Sequence, residues 1–239
     1  MKGKPMRIKT VMFDLDGTLL PMDQDQFTKY YFGLLAKKMA PYGYETEQLV
    51  SGIWAGTAAM VKNDGSCTNE EAFWKKFCAT MGEKVLEDKP LFEEFYRVEF
   101  QGARVSCGFA PQATGLVAKL KAAGYRVLLA TNPIFPAIAT ESRIRWAGLE
   151  PEDFELYTTY ENACHCKPNP DYYRDILSSM KLDPSECLMV GNDATEDTAA
   201  EQTGMQVFLL TDCLINKENK ELSRWPHGGF EELEKFIFG

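Results

Sequence analysis

From about residue 108 onward the sequence alternates helical and extended segments with a regularity that few architectures accommodate. Pro111 to Ala123 carries helical periodicity and stops at Gly124, and Arg126-Val127-Leu128-Leu129-Ala130 follows as an apolar run. The order then repeats: helix near Pro136 to Trp146, strand near Phe154 to Thr158, helix near Pro170 to Met180, strand Cys187 to Val190, helix near Thr195 to Thr203, strand Met205 to Leu210. Short runs that are apolar along their whole length are buried on both faces, which is the pattern of parallel strands with helices packed above and below. The expectation is an α/β chain whose core has three layers.

One further apolar strand, Ile8 to Phe13, lies far upstream and belongs to the same sheet. Between it and the alternating region, Phe27, Tyr30, Tyr31, Leu34, Leu35 and Met39 recur at helical spacing. So do Leu49, Ile53 and Met60, then Phe73, Phe77 and Met81, then Leu91, Phe95, Val98 and Phe100. Turn residues at Pro41-Tyr42-Gly43, Asn63-Asp64-Gly65 and Asp88-Lys89-Pro90 divide this stretch into four helices. The chain therefore reads as a discontinuous core, residues 1–20 and 104–239, interrupted by an all-helical insertion over residues 21–103. Aromatic stripes at this spacing are the core of a small bundle. The amphipathic tail from Leu222 to Gly239 is expected to pack on the chain's own core, and nothing in the sequence specifies an oligomer.

A chain of 239 residues with 45% apolar content buries such a core without covalent staples. Its seven cysteines are odd in number and scattered, as reduced thiols are, and Cys164-His165-Cys166 lacks the second half of a zinc site. The net charge of −9 argues against general attraction to nucleic acid or anionic lipid. An anionic ligand must instead be met by a few placed cations, a metal or backbone N–H groups. No apolar run approaches the roughly 20 residues of a bilayer span, and the N-terminal MKGKPMRIKT lacks a signal peptide's apolar region. A cytoplasmic protein with neither nucleic-acid nor membrane partners is expected.

In open parallel sheets, ligands bind beyond the carboxyl ends of the strands. The first strand runs out into Asp14-Leu15-Asp16-Gly17-Thr18. Two carboxylates two positions apart on extended chain share one face, so both reach a single group, and a glycine and a hydroxyl follow. An acidic turn alone would have this composition. The later strand ends, however, supply what phosphoryl chemistry needs: Thr131 and Asn132, then Lys167-Pro168, then Gly191-Asn192-Asp193 with Asp197.

In order and spacing, DLDGT at Asp14 to Thr18, Thr131 after its strand, Lys167 in KPNP, and Asp193 and Asp197 in GNDATED resemble the four motifs of the haloacid dehalogenase (HAD) superfamily. The resemblance is to the phosphoglycolate-phosphatase-like type, and it covers nearly the entire chain. It implies a Rossmann-like parallel-sheet core with an inserted helical cap domain, and a Mg²⁺-dependent phosphatase acting on a small phosphorylated substrate. It also implies the magnesium ligands: a carboxylate oxygen of Asp14, the backbone carbonyl of Asp16 and the carboxylate of Asp193.

The chemistry suits these residue types. A carboxylate accepts a phosphoryl group as an aspartyl-phosphate, and Asp14, first in its motif, is the candidate nucleophile. Asp16 is placed to protonate the leaving alkoxide and later to deprotonate the attacking water. Lys167 brings a compact positive charge that holds phosphate and keeps Asp14 ionised. Thr131 and Asn132 offer donors to phosphate oxygens, and Thr18 orients Asp14 or Asp16 from the turn. Asp197 buttresses Lys167 or the metal shell. Asn192 stands where the family often has aspartate, so it either binds metal through its amide oxygen or accepts a hydrogen bond from metal-bound water.

The second acid separates this chain from carbon-attacking dehalogenases, whose first motif normally lacks an aspartate at that position. A phosphonatase would use a cap lysine as a Schiff base; Lys29, Lys37 and Lys38 instead have the spacing of an exposed helix face. A sugar-phosphate mutase keeps all four motifs. A non-catalytic binding protein on the same fold is the remaining alternative, against which stands the joint presence of Asp14, Asp16, Thr131, Lys167 and Asp193. The cap is expected to close over the site and supply most substrate contacts.

Overall fold

A computed structural model describes residues 8–239, so the first seven residues assigned to the core lie outside the described residues. Five parallel strands form one sheet: β1 (Thr10–Phe13), β2 (Arg126–Leu129), β3 (Cys187–Gly191), β4 (Gln206–Leu210) and β5 (His227–Gly228), in the order β2-β1-β3-β4-β5. β1 lies between β2 and β3, with Thr10 opposite both Arg126 and Cys187, and all four of its residues are buried. Alternation along the strands makes the three layers. Val11, Phe13, Leu129 and Val190 face one apolar cluster, and Met12, Leu128, Met189 and Leu209 face the other.

The first cluster is closed by α6 (Pro111–Ala122), α7 (Ala137–Trp146) and the C-terminal α9 (Phe230–Phe238), through Leu116, Ile144 and Leu233. The second is closed by α8 (Pro170–Ser179), through Tyr172, Tyr173 and Ile176. The tail packs on its own core as expected, with Phe236 against Phe208 at 5.5 Å between ring centroids.

Two expectations along this region change, and one strand is unforeseen. Phe154 to Thr158 forms no full strand; its backbone runs beside β2 through Glu155 N to Val127 O (2.9 Å) and Leu129 N to Leu156 O (2.8 Å), with a single bridge at Tyr157. It lies beyond the edge strand, where solvent-facing Glu155 pairs with Arg126 instead of packing inward. The segment near Thr195 to Thr203 is a 3-10 helix over Asp197–Thr203, whose buried face includes the small Ala199 and Ala200 and so fits a narrow turn against the sheet. β5 is two residues long and leaves no periodicity to read.

Between β1 and α6 the chain forms α1 (Gln24–Met39), α2 (Thr46–Val61), α3 (Asn69–Met81), α4 (Lys84–Glu87), α5 (Lys89–Arg97) and a 3-10 stretch, Glu99–Ser106. Pro90 in the first turn of α5 starts that helix, which leaves α4 as an extra turn upstream, and the expected fourth helix ends at Arg97, with Phe100 in the 3-10 stretch that follows. Asp23 caps α1 by accepting from Gln26 N at 2.8 Å, and Thr68 with Glu71 forms a capping box on α3. α2 lies close against α3 because Gly56 has no side chain where Phe73 sits. This helical segment meets the sheet region through rings, Tyr31 on Phe135 (5.5 Å) and Phe100 on Trp146 (5.1 Å).

Among the described residues no helix is long and apolar enough to cross a membrane. The seven cysteines are free thiols. Cys166 is buried, which pushes its thiol up to about 12, and His165 pairs with Asp175 at 2.7 Å.

Candidate active site

Asp14 is the first residue after β1, and its N–H donates to Val190 O at 2.8 Å, so the sheet register itself fixes its backbone. Behind it the ammonium of Lys167 donates to Asp14 Oδ1 at 2.9 Å and to Asp197 Oδ1 at 2.7 Å, with Lys167 only 1% exposed. Asp197 in turn accepts from the backbone N–H of Asp193 at 2.9 Å through Oδ2. Burial disfavours the lysine charge, but the two carboxylates outweigh it and hold Lys167 well above its ordinary range. Asp14 moves the other way from a normal carboxylate. Burial, reinforced by the charges of Asp197 and Asp16 and only partly offset by Lys167, raises it to about 7.

Thr18 bridges the two ends of this floor. Its hydroxyl lies 3.0 Å from Asn192 Oδ1 and 3.3 Å from Asp14 Oδ2, so its single proton is shared between them. The turn that presents it needs Gly17, which has φ +86° and lies against the Asn192 amide. Asn192 is held at both ends, since its Nδ2 also donates to Cys213 O at 2.7 Å. Asp193 points its Oδ1 at the backbone N–H groups of Thr195 (2.7 Å) and Glu196 (2.9 Å). Thr131 is buried, with its carbonyl accepting from Tyr172 (2.8 Å) and Thr158 (2.7 Å).

Asp16 has a partner that the sequence reading did not anticipate. Arg143 of α7, 1% exposed, donates to Asp16 Oδ2, and its guanidinium lies 4.5 Å from the Phe135 ring centroid. Burial raises Asp16 above the usual carboxylate range against the opposing charges of Arg143 and Lys167, and its Oδ1 is buried without a hydrogen-bond partner. A helical arginine ordinarily reads as solvated surface. The available signal was the spacing Ala139, Arg143, Trp146, which puts Arg143 on the inward stripe. Glu196 was also missed: it accepts from Asn132 Nδ2 at 3.1 Å to each oxygen, and burial pushes it up to about 8.

The structure thus brings Asp14, Lys167, Asp197, Thr18 and Asn192 into direct contact. Asp16, Thr131, Asn132, Asp193 and Glu196 line the same cleft, of about 290 Å³. Its other wall comes from the helical segment. Among the described residues no three His, Cys, Asp or Glu side chains form a closed metal cage. The open set of two carboxylates, Asp14 and Asp193, with a main-chain carbonyl is nonetheless all oxygen, as magnesium prefers. The raised Asp14 and the orphaned Asp16 oxygen mark a floor short of positive charge, so the residues fit such an ion.

A family model described as haloacid dehalogenase-like hydrolase matches residues 8–204. Pyrophosphatase PpaX of Bacillus cereus (strain G9842) is 23% identical over 208 residues, covering 86% of this chain and 84% of that one. A crystal structure described as a predicted phosphoglycolate phosphatase from Haemophilus somnus 129PT superposes with a TM-score of 0.57 at 18% identity, over 98% of this chain and 99% of the other. The HAD-hydrolase YfnB of Bacillus subtilis, described as bound to magnesium, gives a TM-score of 0.57 at 17% identity, over 97% and 99%. With the match spanning β1 to β3, the helical segment and the candidate site residues from Asp14 to Asp197, the chain belongs to the haloacid dehalogenase-like hydrolases.

Proposed function

We propose that this chain is a phosphatase that hydrolyses a small phosphorylated metabolite through an aspartyl-phosphate on Asp14. The observation that carries the reading is the buried Asp14–Lys167–Asp197 arrangement. It holds one oxygen of Asp14 from behind and leaves Asp14 lining the cleft. Lys167 stabilises the ionised nucleophile, and Asp197 keeps the lysine in place. Thr131 and Asn132, at the end of β2, supply donors for the transferring phosphoryl oxygens. Asp16 gives its proton to the leaving alkoxide and takes one from water in the second step, held in position by Arg143.

Magnesium would be held by Asp14, Asp193 and the carbonyl of Asp16, and when bound it neutralises phosphoryl charge and orients the group for attack. Residues 21–103 act as a cap over a core made of residues 1–20 and 104–239, with most substrate contacts on the cap side.

Phosphate release from a panel of monoesters, with Mg²⁺ and with EDTA, tests the reading. Magnesium-dependent turnover that is lost in Asp14→Asn is expected. Absence of turnover across the panel together with absence of Mg²⁺ binding overturns it.

A further inference from the structure

We propose that the cleft takes the phosphomonoester of an aromatic or similarly apolar alcohol and discriminates against substrates with a second anionic group; this rests on the phosphatase reading above. The first ground is charge. Every charged side chain lining the cleft is acidic; Lys167 and Arg143, each 1% exposed, are committed to Asp14, Asp197 and Asp16, and Lys89, 5.2 Å from the Trp74 ring centroid, is paired with Glu70 at 2.7 Å. The helical wall contributes no lysine or arginine among the described lining residues. A phosphate or carboxylate on the far side of the substrate would therefore be desolvated against rings with no counter-charge.

The second ground is polarity. Phe27, Phe32, Trp54, Phe73, Trp74 and Phe92 form the wall opposite the carboxylates. Its polar groups are mostly engaged with one another: the Tyr31 and Tyr96 hydroxyls share a bond at 2.9 Å, Trp74 Nε1 donates to Tyr160 at 3.4 Å, and Thr57 donates to Ile53 O at 3.0 Å. Gln24 and Thr28, at the start of α1, are the remaining polar side chains on that wall, enough for one or two hydrogen bonds. A polyol would lose water from several hydroxyls and recover few partners.

The third ground separates a ligand wall from ordinary helix packing. Trp54 lines the cleft yet is 51% exposed, tilted against Phe32 at 5.5 Å. A bundle core would bury that ring. Here it stands at the rim as an open apolar face, with the tilted Phe32 ring beside it and about 290 Å³ in front, at the small end of the range for organic ligands.

The test compares kcat/KM, with Mg²⁺, for 2-naphthylmethyl phosphate, phosphoglycolate, glycerol 3-phosphate, fructose 1,6-bisphosphate and pyrophosphate. The first three share an alkyl leaving oxygen, so the wall and not the leaving group decides among them. The naphthylmethyl ester is expected to lead by at least about tenfold, and Trp54→Ala to raise its KM about fivefold, more than the KM for methyl phosphate. Trp54→Lys is expected to move the ranking toward fructose 1,6-bisphosphate. Equal or better kcat/KM for a doubly anionic substrate or for glycerol 3-phosphate overturns the substrate class and leaves the phosphatase reading standing. If no ester turns over, benzylphosphonate titrated against tryptophan fluorescence decides. Quenching that Trp54→Phe removes keeps the aromatic site and sinks the phosphatase reading, and no binding sinks both.

Discussion

The two walls of the cleft are held together by opposite means. On the sheet side, Lys167 is tied to two carboxylates, Asp197 to Lys167 and a backbone N–H, and Asp16 to Arg143. Removing Lys167 leaves two buried carboxylates without their cation. On the helical side the contacts are between rings, such as Phe73 on Phe77 at 5.3 Å and Trp74 on Phe92 at 5.8 Å, which tolerate exchange of one apolar shape for another. On the proposed reading, the chemistry rests on the polar wall and selection on the wall that can change.

The largest effect separating the two walls is on turnover. Asp14→Asn is expected to lower kcat by about 10³-fold or more while far-UV circular dichroism and the unfolding midpoint stay near those of the parent, since Lys167 keeps Asp197. A variant retaining most of the rate would remove Asp14 as nucleophile. Lys167→Met should act on stability as well, because Asp14 and Asp197 are then buried together without a cation. About 3–5 kcal/mol is expected in urea unfolding, and a loss below about 1 kcal/mol would show that the lysine does not carry the floor. Phe73→Ala on the opposite wall is expected to cost about 3 kcal/mol by leaving a cavity. The contrast lies in its repair: Phe73→Leu should recover most of the loss, whereas Lys167→Arg should not, since a planar fork does not fit the site of a compact ammonium.

The same contrast decides what the sequence revealed. Strand ends were legible because a polar type directly after an apolar run has few structural reasons to be there, so Asp14, Thr131 and Asp193 stood out, whereas Lys167, well beyond Thr158, was read through the motif resemblance of KPNP. Arg143 and Glu196 were not legible, since on a helix or beside one their types are those of any solvated face, and only tertiary packing shows Arg143 buried and Glu196 lining the cleft. For the aromatic residues the obstacle is degeneracy. Phe73 in a bundle and Trp54 at a ligand rim obey the same helical spacing, and only exposure tells them apart. The parallel sheet followed from the alternation of helix and strand, but Phe154 to Thr158 has strand composition and lacks a second neighbour to pair with.

The smallest expected effect lies behind the aromatic wall. Asp88, between α4 and α5, accepts from Lys84 and, at 2.7 Å, from the Tyr44 hydroxyl, tying the loop before α2 to the start of α5. The lysine, helped by the tyrosine and opposed by partial burial, holds the Asp88 carboxyl below its usual range. Because the folded value lies below the unfolded one, near 3.9, the stabilisation is present above that pH and disappears as pH falls through the folded value. Asp88→Asn is expected to cost about 0.5–1 kcal/mol at pH 7, discounted for the exposure of Lys84, and progressively less as the pH is lowered below 4. Thermal unfolding of parent and variant at pH 7 and pH 3, each in low and high salt, measures this difference. The gap should narrow in acid and in salt. A gap independent of both would mean that Asp88 acts through the Tyr44 hydrogen bond alone, and that even the support of the aromatic wall is built from neutral contacts.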